Sequence, residues 1–112
     1  MDLLQQLEIK HPIFLAPMAG VSTPELAAEV SNQGGLGSLG LGANTAQSAR
    51  EQILKTQTLT EKSFQVNFFC HQPEQLNPQT SAQWIEYLRP QFENFGEQPP
   101  QNLNCIYPSF LD

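Results

Sequence analysis

The sequence predicts an α/β fold built from parallel βα units. Short apolar runs alternate with stretches of helical periodicity, in the order strand, helix, strand, helix, strand, helix. The first run is continuously apolar, the pattern of a strand covered on both faces in a parallel sheet. The helices are short and the connections brief, and such alternation implies parallel strands joined by right-handed crossovers. Taken alone, the pattern suits either a (β/α)₈ barrel or an open doubly wound sheet.

The elements follow in order. Residues 2–7 can form a short helix. Ile13-Phe14-Leu15-Ala16-Pro17-Met18 lies between Pro12 and Gly20 and reads as a first strand. It is expected to end at Pro17, which has no ladder donor. Thr23-Pro24 opens a helix, with Thr23 as cap and Pro24 in the first turn. Leu26, Ala27 and Val30 form its apolar stripe, and Gly34-Gly35 stops it by allowing a left-handed cap. Leu36-Gly37-Ser38-Leu39 is a short second strand. Asn44 or Thr45 starts the next helix, with Ala46, Ala49 and Ile53 on its buried side. Phe64-Gln65-Val66-Asn67-Phe68-Phe69 is the third strand, the richest in aromatic and β-branched residues. Residues 79–95 are helical around Trp84, Leu88 and Phe92, with Pro90 as a kink or break. Residues 96–104 make a polar, proline-rich connection, and Cys105-Ile106-Tyr107 could begin a fourth strand.

Composition narrows the function. The net charge is -6 with five Lys plus Arg, which argues against nucleic acid and against an anionic membrane surface. No apolar run approaches a membrane span. Residues 1–10 lack the basic start and long apolar stretch of a signal peptide, so the expected compartment is the cytoplasm. Cys70 and Cys105 are then expected as reduced thiols, since two cysteines make no disulfide framework. No Cys/His spacing suggests a metal site. Six of the nine prolines follow residue 71, so the chain changes character there.

Gly35-Leu36-Gly37-Ser38-Leu39-Gly40 matches GxGxxG literally. A dinucleotide fingerprint needs that pattern after a strand and opening a helix. Here it follows a helix and contains a strand, so the glycines read as a helix stop and a slim strand. Asn67 stands out by its chemistry: it is an amide in a largely apolar strand, on the face opposite Phe64, Val66 and Phe68. A buried amide there needs partners. His71 ends the same strand, beside Cys70, which reads as a small buried hydrophobe.

Ala16-Pro17-Met18-Ala19-Gly20-Val21-Ser22-Thr23-Pro24-Glu25-Leu26-Ala27 continues into Val30-Ser31-Asn32 and Gly34-Gly35-Leu36-Gly37-Ser38. Val66-Asn67-Phe68-Phe69-Cys70-His71 and Ile106-Tyr107-Pro108-Ser109-Phe110-Leu111 follow. In this order and spacing, from about His11 onward, they resemble the class I nitronate monooxygenases. The resemblance implies a (β/α)₈ barrel with an inserted substrate domain, FMN as cofactor, and oxidation of alkyl nitronates such as propionate 3-nitronate. O₂ is consumed, and nitrite and a carbonyl product are released. The flavin is implied at the C-terminal mouth of the barrel. Ala16, Pro17 and Met18 would line its ring with backbone, and Asn67 would hydrogen-bond it. Tyr107 would line the substrate pocket, with His71 as a second substrate-side candidate, although a structural role is the commoner state for such a histidine. No catalytic residue is expected in this chain, because the family's histidine base belongs to a later Gly-Gly-His-like segment.

A complete barrel of this kind takes about 250 residues. Residues 1–112 are therefore expected as one N-terminal fragment of an incomplete TIM barrel. Its βα units would span about 11–95, and the Pro/Gln-rich connection about 96–104. Such a chain would be inactive until completed, for example by a C-terminal barrel fragment. The alternatives are a non-catalytic remnant or interaction fragment, or another FMN barrel such as a flavin-dependent enoyl reductase.

Overall fold

A computed structural model describes residues 2–72, 75–104, 107 and 109–110. It divides into two compact units, Met1–His71 with Tyr107–Asp112, and Gln72–Ile106. The division falls where prolines, Gln and Asn begin to accumulate.

In the first unit the elements are α1 (Leu3–Gln6), α2 (Pro24–Asn32), β1 (Gly37–Gly40), α3 (Ala46–Leu59) and β2 (Phe64–Asn67). Both longer helices start as their sequences dictate. The Thr23 hydroxyl accepts a hydrogen bond from Leu26 N at 3.2 Å, and that of Thr45 accepts from Ser48 N at 3.2 Å. Each satisfies an amide left without an intrahelical partner. α2 ends where Gly34 adopts φ +92°, a conformation glycine takes without steric cost.

β1 and β2 pair in parallel, with Gly37 opposite Phe64 and Gly40 opposite Asn67. The run Ile13–Met18 is not a full strand. It joins β1 through one parallel bridge, Phe14 to Leu36, in which Leu36 N donates to Ile13 O at 2.8 Å and Leu15 N to Leu36 O at 2.9 Å. Pairing goes no further because Pro12 and Pro17 have no amide hydrogen, while the Ala16 carbonyl and both backbone polar groups of Met18 are drawn into the following turn. Nor is the run buried on both faces: Ile13 and Phe14 are exposed.

The core lies between the sheet and the helices. Ala27, Leu39, Leu41 and Ala49 are buried, and Leu15, Ile53, Phe64 and Phe68 pack against them. α2 buries Pro24, Ala27, Ala28 and Ser31; of the expected stripe only Ala27 is fully buried, while Leu26 is exposed and Val30 half-buried. The reason is proximity. A Cβ on Gly37 would collide with the Ala27 carbonyl and the Ser31 hydroxyl, so only small residues fit where helix meets strand. Ser31 completes this contact. Its Oγ donates to Ser63 O at 2.8 Å and accepts from Gly37 N at 3.0 Å. On α3, Ala49 and Thr56 are buried, but Ala46 is exposed against expectation. The glycine-rich stretch forms a bend, the bridge and β1, and opens no helix.

The second unit contains α4 (Pro78–Asn94), capped by Asn77, whose Oδ1 accepts from Thr80 N at 3.1 Å. The helix continues through Pro90. Its more covered side is Ser81, Ile85, Arg89 and Phe92, while Trp84 and Leu88 are exposed, contrary to the expected stripe. Residues 96–104 have no regular secondary structure. Gln98, Pro99, Pro100 and Gln101 line a cavity of about 560 Å³ with Ile85 and Arg89. Of the proposed fourth strand, Cys105 and Ile106 lie outside the described residues, and Tyr107 sits in a bend.

Candidate functional site

A parallel sheet gathers its functional groups where the strands end. Here three segments end together. Gly40 closes β1 beside Asn67, its register partner, which closes β2. The backbone of Met18 and Ala19 lies against Gly40. A Cβ there would stand 2.9 Å from the Ala19 nitrogen and 3.1 Å from that of Met18. The absence of a side chain at Gly40 therefore lets the 16–20 segment close down on the sheet edge.

That segment is a tightly bonded turn. Met18 O accepts from Val21 N at 3.1 Å and from Ser22 N at 2.8 Å. The Ser22 hydroxyl accepts from Met18 N at 2.8 Å and donates to Ala16 O at 2.9 Å. Gly20 takes φ +74°, which turns the chain back. Ala16, Pro17 and Met18 are exposed, whereas Ser22 is buried. The Ala16 N–H donates to no described residue, and the Pro17 carbonyl accepts from none.

Asn67 departs from expectation in one respect, since its side chain is exposed rather than buried. Its carbonyl accepts from Leu41 N at 3.0 Å, but its carboxamide has no partner among the described residues. It shares a sheet face with Gln65, away from Phe64 and Phe68, as strand alternation requires.

Tyr107 and His71 belong to a second group, centred on Phe69. The Phe69 ring meets Tyr107 edge-on at 5.9 Å and His71 at 6.2 Å, the edge-to-face arrangement aromatic pairs favour. The Ser109 hydroxyl donates to His71 O at 2.6 Å, and Phe110 N to Phe69 O at 2.6 Å. Cys70 between them is exposed with a free thiol, not a buried hydrophobe. An apolar cavity of about 310 Å³ lies alongside, lined by Leu41, Gly42, Phe68, Phe69 and Phe110 among others. None of the six residues expected from the sequence lines it. No group of three or more His, Cys, Asp or Glu among the described residues converges on a metal position, and no helix there is long and apolar enough to cross a membrane.

Two residues were not legible as site components. Ser22 is hidden in sequence by its neighbour, because Thr23-Pro24 already accounts for the helix start. Phe69 reads as an ordinary strand aromatic, and only the return of the chain at Ser109-Phe110 makes it a hub. Glu25, in contrast, is a structural charge. A hydrogen bond from Lys55 on α3, aided by one from its own backbone amide, holds its carboxyl below the usual range.

A family model described as nitronate monooxygenase matches residues 2–102. The nitronate monooxygenase of Paraburkholderia phytofirmans is 54% identical over 109 residues, covering 97% of this chain and 30% of its own. That of Pseudomonas aeruginosa is 50% identical over 106 residues, covering 95% and 30%. This chain thus spans about 30% of the length of these curated relatives. Among solved structures, nitroalkane oxidase from Streptomyces ansochromogenes superposes with a TM-score of 0.63 at 39% identity, over 82% of this chain and 26% of that one. FabK from Thermotoga maritima superposes with a TM-score of 0.59 at 34% identity, over 80% and 27%. With a family match over nearly its whole length, the chain belongs to the nitronate monooxygenase family.

Proposed function

We propose that this chain supplies one wall of the flavin site of an FMN-dependent nitronate monooxygenase, as the first βα units of a (β/α)₈ barrel. The barrel reading is supported by the parallel order of the 14-bridge, β1 and β2, and by similarity to enzymes of which this chain covers about a quarter. The observation that carries the flavin reading is the unclaimed polar set at the strand ends. The Ala16 N–H, the Pro17 carbonyl and the Asn67 carboxamide have no partners among the described residues. They lie on segments that meet at Gly40. A flat heterocycle whose edge alternates N–H and carbonyl groups needs such a donor and acceptor set, and the residues present fit it. The flavin, when bound, supplies the redox chemistry, with electrons leaving the nitronate for O₂.

The protein's part is to bind and orient. Asn67 hydrogen-bonds the ring and the 16–18 backbone flanks it. Tyr107, edge-on to Phe69, supplies the substrate-side phenol, and His71, on the same ring, is the second substrate-side residue. No base for a neutral nitroalkane is assigned to this chain, and a C-terminal barrel fragment would contribute that residue and the phosphate site. The alternatives draw less support, because the relatives at 50–54% identity are named for nitronate oxidation.

Titration of FMN with the purified, folded chain tests the reading by quenching of flavin fluorescence. Saturable quenching is expected, with Asn67→Ala raising Kd about five- to tenfold, the value of one hydrogen bond of about 1 kcal/mol. Co-expression with the C-terminal portion of the Paraburkholderia relative is expected to give nitrite release from propionate 3-nitronate. A folded chain that neither quenches FMN nor supports nitrite release in that pairing would rule the proposal out in favour of a non-catalytic remnant.

A further inference from the structure

We infer that Ser22 is a positioning residue for the flavin wall: its hydroxyl sets which backbone groups of Ala16, Pro17 and Met18 face the ligand. This rests on the flavin reading above and assigns a role within it. The turn has few polar groups to distribute. Ala16 and Met18 each offer an N–H and a carbonyl, and Pro17 offers a carbonyl alone. Ser22 takes two of these with one oxygen, donating to Ala16 O at 2.9 Å and accepting from Met18 N at 2.8 Å. Its own amide donates to Met18 O at 2.8 Å. The Ala16 N–H and the Pro17 carbonyl remain, so the residue that touches three of the five groups determines the identity of the other two.

Burial makes this arrangement rigid. Ser22 is 5% exposed, so water does not replace either contact at little cost, and a lost partner would leave a desolvated group. Gly40 leaves room for the same nitrogen, since a Cβ there would stand 3.1 Å from Met18 N. The Met18 amide is therefore bonded to the Ser22 oxygen at a place where Gly40 admits no side chain. Removal of the hydroxyl frees the Met18 N–H and the Ala16 carbonyl to compete for the ligand in the wrong pattern.

Ser22→Ala, Ser22→Thr and the unaltered chain are compared by FMN fluorescence quenching, by visible circular dichroism of bound flavin, and by urea unfolding. Ser22→Ala is expected to raise Kd for FMN about tenfold and to change the flavin dichroism, while Ser22→Thr, which keeps the hydroxyl, restores both. If Ser22→Ala does not fold, Ser22→Cys retains the size with a weaker acceptor, and about a threefold rise in Kd is expected. A folded Ala or Cys variant with unaltered affinity and dichroism overturns the role of Ser22 but leaves the flavin site standing. Failure of the unaltered folded chain to bind FMN overturns the flavin reading and this inference with it.

Discussion

At the scale of single residues, the sheet treats two serines in opposite ways. Ser31 satisfies both Gly37 N and Ser63 O, whereas the hydroxyl of Ser38 is fully buried with no partner among the described residues. An unpaired buried hydroxyl forfeits its water without compensation, at a cost of about 1–3 kcal/mol. Ser38→Ala is therefore expected to leave stability unchanged or to raise it by up to about 1 kcal/mol, read from the urea midpoint at constant slope. A loss of stability would mean that the oxygen has a partner outside the described residues. Sequence reasoning singled out Asn67 by its amide character and set it opposite Phe64 and Phe68, which pack against the core. It misjudged the burial of Asn67 and Cys70, because exposure at a strand end depends on which segments fold over it. No single-residue property carries that information.

At the scale of elements, local chemistry was the reliable guide. Thr23 and Thr45 cap their helices as expected, and Gly34 stops α2. The helix faces were less legible. Periodicity favours large residues as the buried stripe, yet α2 buries alanines and a serine because it lies almost in backbone contact with Gly37. The first strand shrank to one bridge because two prolines and Ser22 remove its ladder groups. Pro90 shows the limit of the breaker rule, for α4 runs through it. A proline at an interior position lacks the amide that would bond Glu86 O and costs up to about 3 kcal/mol relative to alanine. Pro90→Ala is expected to increase helicity by far-UV circular dichroism and to stabilise the second unit. An unchanged spectrum and midpoint would show that Phe92 and Arg89 packing already dictates the helix geometry.

At the scale of the whole molecule, α2 and α3 are joined at the surface by Glu25 and Lys55, both more than half exposed. The lowered carboxyl value of Glu25 means that the folded state favours the charged form. The resulting stability is present above the ordinary carboxylate range and is lost as pH falls through the lowered folded value. Exposure and salt screening keep it small. Lys55→Gln is expected to lower the urea midpoint slightly at neutral pH and low salt. The difference should shrink as pH falls below the ordinary carboxylate range and in 1 M salt, and persistence in high salt would indicate lost packing of the lysine stem instead. The first unit also closes on itself in a way that bears on gene recombination. Its chain departs after His71 and comes back beside the point of departure, with Ser109 bonded to His71 O and Phe110 to Phe69 O. Crossovers placed after codons 71 and 106 would exchange the intervening unit between homologous genes as an intact cassette and sever neither of those bonds. A single crossover between codons 31 and 37 would instead marry one parent's α2 to the other's β1, and the offspring would inherit a helix and a strand never fitted to each other at Gly37.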